Sequence, residues 1–173
     1  VSRERIFTEH DANPKLLGAL ADHVGVAFEN ARLYTLAITD ELTQLFTVRH
    51  LHVRLDEAAS RHMRSGQGFG LLMLDLDHFK SVNDRWGLPA GDEVLRQVAR
   101  CLLRQIRLGD GAFRYGGEEF AVLLPEADLA TARAVAERVR RGIEALEIRL
   151  EDGTSLRVTA STGVGVCPAA GTA

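Results

Sequence analysis

No run of apolar residues in the 173-residue chain is long enough to cross a bilayer, and no signal peptide is visible. Those absences remove any reason to expect membrane contact and lead to an expected cytoplasmic location. Excess charge is also lacking. A formal net charge of -3 argues against the broad basic footprint of a nucleic-acid binder, so an anionic substrate must be met by local cations or by metal. Cysteine is scarce: Cys101 and Cys167 stand far apart and follow no metal-ligand spacing. Two buried thiols in a reducing compartment are the expectation. The chain opens on Val1 rather than methionine, the expected mark of a fragment of a longer protein. What is present suffices for one core, since 46% of the residues are hydrophobic.

Composition changes near Asp40. Upstream, Leu17, Leu20, Val24, Ala27, Ala31, Tyr34 and Ile38 step by alternating threes and fours, which predicts one long helix from Pro14 to about Ala37. The seam suits either a two-subunit coiled coil or a helix lying on its own domain. Residues 1 to 13 read as irregular and polar. Beyond Asp40 a helix is predicted over roughly Val48 to Arg64. A buried strand then runs through Phe69 to Leu74 and stops at the carboxylates Asp75 and Asp77. Helical periodicity returns in "GDEVLRQVARCLLRQI", with Val94, Leu95, Val98, Leu102 and Ile106 on one face. "AFRYGGEEFAVLLP" reads as a hairpin whose Gly-Gly turn supplies positive backbone φ angles. A helix capped by Asp128 follows, then a hairpin turning at Asp152-Gly153 that runs into a final strand. This order predicts an α+β fold with a mainly antiparallel central sheet flanked by helices.

Asp75 at the end of one strand and Glu118 at the start of another put two carboxylates within reach of one cation. Hard oxygens on rigid strands suit Mg²⁺, which keeps its remaining positions for waters and phosphates. Gly116 and Gly117 present bare backbone on which a large anion can lie. Charged residues flanking a glycine turn are more often solvated, and spacing alone does not separate the two readings. Asp77 reads as pointing away from Asp75 and capping the next helix, and Asp84 as another cap. Arg114 reads equally as a phosphate contact or as an exposed strand residue. His50, His52 and His62 read as solvated helix histidines, because no cysteine or carboxylate pattern completes a zinc set.

"GGEEF" at residues 116–120 resembles the signature of the GGDEF family, the diguanylate cyclases of bacteria. "DELTQL", "DLDHFKSVND", "GLPAGDEVL" and "VTASTGVGV" are similar, in order, to four further motifs of that family, and the likeness runs from Asp40 to Pro168. "LLGALADHVGVAFENARLY" looks like the last helix of a GAF sensor domain. The resemblance implies that residues 1–38 are the end of a sensor and its linker helix. It implies that residues 39–173 are a cyclase domain of the palm-like, ferredoxin-like kind.

The implied reaction condenses two GTP into cyclic di-GMP with release of two pyrophosphates, a nucleotidyl transfer. Each domain of a homodimer holds one GTP, the pair meeting through the N-terminal helix and the catalytic faces. Asp75, the backbone carbonyl of Leu76 and Glu118 match the family's metal ligands for two Mg²⁺ ions, with Mn²⁺ as a substitute. Glu119 matches the second signature carboxylate, for metal binding or for activating the 3′-hydroxyl. Lys80 matches a phosphate contact, and Asn83 and Asp92 match the guanine readers. A carboxylate accepts from guanine N1 and N2 hydrogens, which adenine does not offer. Arg107 and Asp110 in "RLGD" resemble the family's inhibitory site for cyclic di-GMP; an exposed salt bridge is the alternative.

Departures from the pattern are Gln44, Thr47 and Val48 after the opening motif, and Leu88 where a histidine is usual. The family continues past Pro168 into a helix that grips phosphates, whereas this chain ends at Ala173; the expectation is a domain lacking that helix. The alternative to an enzyme is a non-catalytic module that binds GTP or cyclic di-GMP and signals by contact.

Overall fold

The computed structural model describes residues 14–150 and 152–168. The irregular character expected of residues 1–13 lies outside them, as does the chain's end at Ala173. Two compact units divide the chain, Val1–Ala37 and Ile38–Ala173. The first contains all but the last residue of helix α1, Pro14–Ile38, with proline at the first position, where its missing N–H costs nothing. Leu17, Leu20, Val24 and Tyr34 are all exposed on it. No helix among the described residues is long and apolar enough to cross a membrane.

In the second unit, β1 (Phe46–Thr47) leads into α2 (Val48–Ser65), whose first turn is capped by Thr47 and whose end is closed by Gly66 at φ 69°. Strand β2 (Phe69–Leu76) is followed by α3 (Phe79–Trp86) and α4 (Leu88–Gln105). Strands β3 (Gly111–Arg114) and β4 (Glu119–Pro125) form a hairpin. Helix α5 (Leu129–Glu144) comes next, with Asp128 accepting from the Thr131 amide at 2.7 Å as the sequence predicts. β5 (Ile148–Arg149) and β6 (Ser155–Leu156) make a small separate ladder, and β7 (Ala160–Cys167) ends the described chain.

The main sheet has the order β1-β3-β4-β2-β7, antiparallel except for the β1–β3 pair. Its two faces follow from period-two alternation in β2. Leu72, Leu74 and Leu76 are buried with Val94, Val98 and Leu102 of α4 and Val139 and Ile143 of α5. Leu71 and Met73 face the other way, toward Leu51 of α2, Phe113, Ala121 and Leu123. Each such side chain removed from water stabilises the fold by about 1.5–3 kcal/mol. The row Leu71, Met73, Asp75 therefore runs from packed apolar surface to an exposed carboxylate at the sheet's end.

Several expectations need correction. The hairpin turn is not a two-residue Gly-Gly turn. Tyr115 to Glu118 connect the strands, neither Gly116 nor Gly117 has positive φ, and Glu118 precedes β4 rather than opening it. The Tyr115 and Gly116 amides both donate to the Glu119 carbonyl, at 2.9 and 3.2 Å, so a wider loop closes on one acceptor. Asp77 does not cap α3, since His78 holds that place at φ 57° without a side-chain bond. Asp84 lies inside α3, near its end. Cys101 is buried as expected, but Cys167 near the end of edge strand β7 is only half-buried.

Candidate active site

The site is built where β2 ends and β4 begins. Asp75 and Glu119 are direct cross-strand partners, and facing residues of an antiparallel pair project to the same side. One step on, the Leu76 amide donates to the Glu118 carbonyl at 3.3 Å. Asp75 and Glu119 are exposed and Glu118 is half-buried. Among the described residues none of these three carboxylates takes a hydrogen bond or ion pair from the protein. Carboxylates without protein partners leave their oxygens open to a cation.

Bare backbone borders this end. A Cβ built on Gly116 collides with Oε2 of Glu119, whereas one built on Gly117 meets nothing within 4 Å. Gly116 thus lets the Glu119 carboxylate fold back over the loop, and Gly117 opens onto solvent.

Arg114 settles into neither expected role. Its Nη1 is 3.1 Å from Asp40 Oδ1, with the two side chains 20% and 24% exposed. Its Nε and Nη2 donate to the carbonyls of Gly116 and Gly117 at 3.1 and 3.0 Å. Asp40 also accepts from the amide and hydroxyl of Thr43, at 2.9 and 2.6 Å. Burial by itself would push the Asp40 carboxyl up, but the bonds from Thr43 and Arg114 outweigh it and hold it below the usual range. In sequence the two residues stand 74 positions apart, and no local pattern joins them.

Asp77 also departs from expectation. Asp77 lies one residue past the end of β2, and Ser161, the cross-strand partner of Asp75, donates to it, which puts its carboxylate on the side of Asp75. Its oxygens accept from Thr159 Oγ1 at 2.6 Å and Ser161 Oγ at 2.7 Å. Those hydroxyls hold its carboxyl below the usual range.

On the helices, Lys80 is exposed in the first turn of α3, and Asn83 follows three residues later on the same helical face. A Cβ on Gly91 would collide with Asn83 Oδ1, so Gly91 permits close approach of α3 and brings Asn83 against the residue preceding Asp92. Asp92 lines a groove of about 670 Å³ with Trp86, Arg96 and Arg149; Asn83 is not part of that lining. Leu88 is 72% exposed at the start of α4. His50 is half-buried rather than solvated as expected, packing at a 49° tilt against Phe46 with ring centroids 4.7 Å apart, and His62 Nδ1 lies 3.1 Å from the Gln67 carbonyl. Away from this end, Arg107 Nε meets Asp110 Oδ1 at 3.2 Å and Nη2 donates to the Pro125 carbonyl at 2.7 Å.

Residues 37–173 match the family described as diguanylate cyclase, GGDEF domain. Diguanylate cyclase A of Treponema denticola is 37% identical over 161 residues, covering 91% of this chain and 43% of that protein. The response regulator PleD of Caulobacter vibrioides is 41% identical over 130 residues, 75% of this chain and 29% of that protein. The chain thus spans less than half the length of these curated relatives. Among solved structures, the coiled coil and GGDEF domain of DgcB from Caulobacter crescentus, in complex with c-di-GMP, has a TM-score of 0.82 at 28% identity, covering 88% of this chain and 81% of that one. Diguanylate cyclase SiaD of Pseudomonas aeruginosa, in complex with its activator SiaC, gives 0.76 at 39% identity, covering 91% of this chain and 61% of that one. With a family match over most of its length and relatives above 35% identity, the chain belongs to the GGDEF family of diguanylate cyclase domains.

Proposed function

We propose that this chain condenses two GTP molecules into cyclic di-GMP, each domain of a homodimer presenting one nucleotide to the other. The observation that carries the reading is the set of carboxylates Asp75, Glu118 and Glu119 at one end of a rigid sheet, without protein partners among the described residues. Among the described residues no three His, Cys, Asp or Glu side chains converge as a metal cage. Mg²⁺ needs no such cage: it takes one or two carboxylates and leaves its other positions to water and phosphate. Asp75, the Leu76 carbonyl and Glu118 would hold the ions, two for each GTP, with Mn²⁺ as a substitute. Bound Mg²⁺ would neutralise the triphosphate and polarise the attacked phosphorus.

The chain's own groups do the rest. Gly117 admits the phosphates against bare backbone, and Lys80 adds a positive charge to them. Asn83 and Asp92 read the guanine edge, and a base lacking the N1 and N2 hydrogens leaves Asp92 unpaired. Glu119 takes the proton as the 3′-oxygen of the facing GTP bonds to the α-phosphorus, the bond to the β-phosphate breaks, and pyrophosphate leaves. The exposed row Leu17, Leu20, Val24 and Tyr34 on α1 pairs two chains as the linker of a GAF-like sensor. Residues 1–38 belong to that cytoplasmic input and residues 39–173 to the cyclase. Arg107 and Asp110 form the site through which cyclic di-GMP inhibits its own synthesis.

The test is incubation with GTP and Mg²⁺ and separation of the products, with Glu118→Gln alongside. Cyclic di-GMP and pyrophosphate from the wild type, and at least a hundredfold less from the variant, are expected. GTP binding with no product at any protein concentration would leave a non-catalytic module instead.

A further inference from the structure

Asp77 is the one carboxylate on this face of the sheet whose two oxygens are both occupied by protein hydroxyls, among the described residues. Both donors come from the entry to β7. Thr159 and Ser161 lie beside the end of β2, and Ser161 is the direct cross-strand partner of Asp75. Facing side chains of an antiparallel pair stand about 4.5–5.5 Å apart at Cβ, so the Ser161 hydroxyl is near enough to donate to Asp75. It is turned to Asp77 instead.

The backbone is engaged as well. The Asp77 amide donates to the Thr159 carbonyl at 2.9 Å, while the Leu76 amide donates to the Glu118 carbonyl on the opposite side of β2. The described chain contains no cis peptide bond. In a trans peptide, C=O and the following N–H point in opposite directions. With the Asp77 N–H aimed at β7, the Leu76 carbonyl is aimed away from β7, to the side of Glu118. Three bonds from one residue thus fix a carbonyl direction and remove a competing donor.

We propose that Asp77 is a positioning residue for the cation site: by holding Thr159 and Ser161 it aims the Leu76 carbonyl toward Glu118 and leaves the Asp75 carboxylate free for metal. The proposal rests on the cyclase reading for the identity of the metal's other partner, the nucleotide. Outer groups that orient a metal's ligands typically change affinity by about 10–100-fold when removed.

Three variants of the full chain test it: Asp77→Asn, Asp77→Ala, and Thr159→Val with Ser161→Ala, which leaves Asp77 in place. Mn²⁺ affinity is read by electron paramagnetic resonance with a non-reacting GTP analogue present, thermal midpoint by calorimetry, and the Mg²⁺ midpoint from product formation. About a tenfold or greater loss of Mn²⁺ affinity is expected in each variant, in the Asp77 variants from the Leu76 carbonyl and from Ser161 turning to Asp75, and in the hydroxyl variant, which lacks that donor, from the Leu76 carbonyl alone. Combining Asp77→Asn with the hydroxyl pair should cost no more than either alone, because both break one contact set. The hydroxyl variant serves if Asp77→Ala does not fold. Unchanged Mn²⁺ affinity in the hydroxyl variant, or additive losses, overturns the proposal. A wild type that makes cyclic di-GMP while the variants keep its Mg²⁺ midpoint sinks the positioning role alone. A wild type that makes none, yet binds Mn²⁺ in an Asp77-dependent way, sinks the cyclase reading alone.

Discussion

Arg114 ties the signature loop to the start of its domain: Nη1 donates to both oxygens of Asp40, at 3.1 and 3.2 Å, while Nε and Nη2 hold the Gly116 and Gly117 carbonyls. A guanidinium supplies that fork and an ammonium does not. Arg114→Ala should destabilise the domain by about 2–4 kcal/mol, since it strands a half-buried carboxylate and frees two loop carbonyls. Turnover should fall by about tenfold or more through loss of loop geometry. Arg114→Lys should restore part of the stability and little of the turnover. Denaturant unfolding beside product formation reads both, and a variant with wild-type turnover would remove the loop from Arg114's charge.

The same pair sets a pH dependence. Asp40 titrates below its ordinary value in the folded domain, so its contribution is fully present above an unfolded-state pKa of about 3.9 and is lost as pH falls through the folded value. Asp77, Asp128 and Asp152 are shifted the same way, and each adds to acid sensitivity. Asp40→Asn should lower stability near neutral pH and flatten the fall below about pH 4 without removing it. Parallel stability curves for variant and wild type down to about pH 3 would show Asp40 is not part of this term.

Gln44 stands at φ 59°, in the left-handed region that costs an L-residue about 1–2 kcal/mol. Its Nε2 donates to the Glu41 carbonyl at 2.8 Å, which offsets part of that cost in an exposed setting. Gln44→Gly removes the strain and adds chain entropy to the unfolded state, for a net gain of about 0.5–1 kcal/mol. Thermal unfolding checks it, and a lowered midpoint would mean the Gln44 side-chain bond outweighs the strain.

The major elements were legible because each carries a strong local signal. The stripe Val94, Leu95, Val98 and Leu102 and the run Leu71 to Leu74 show their period in sequence alone. Asp128 begins its helix by local chemistry, as read, whereas the caps Thr47 and Gly66 emerge only in the structure. The succession of the longer strands along the chain also followed, but not their order in the sheet, nor the two-residue β1 and its parallel pairing with β3. Illegible were contacts between segments remote in sequence, Arg114 with Asp40 and Asp77 with Thr159 and Ser161, and the close approach of Asn83 to Gly91 across the break between α3 and α4. Gly116 and Gly117 misled because glycine suggests positive φ, whereas here one makes room for Glu119 and the other faces open space.

That difference between the glycines separates structure from ligand contact. Gly116→Ala forces the Glu119 carboxylate to move and should reduce turnover even where nucleotide still binds. Gly117→Ala has open space and an ordinary φ, so it should leave thermal stability within about 0.5 kcal/mol of wild type. A loss of GTP affinity in that variant must then come from the methyl meeting phosphate. Calorimetric titration with a non-reacting GTP analogue checks this, and undiminished affinity would place the phosphates elsewhere.

Arg107 and Asp110 already satisfy each other, and that constrains how a product can be recognised. Asp110 is 2% exposed and Arg107 62%. The Arg107 amide and Nε occupy the two oxygens of Asp110, while Nη2 rests on Pro125. An incoming guanine nucleotide therefore meets the outer edge of Arg107 first, and Asp110 serves mainly to hold that guanidinium flat and oriented. Phosphate or the guanine Hoogsteen edge suits such a fork. Arg107→Ala should abolish cyclic di-GMP binding, and product should accumulate past the level at which the wild type stalls. Asp110→Asn keeps the side chain's shape and one acceptor, so it should weaken binding by about tenfold without removing it. Equal loss in the two variants would mean Asp110 swings out to read the base itself. Absence of binding in the wild type at micromolar cyclic di-GMP would leave the pair as a buried-end salt bridge, with inhibition removed from this surface.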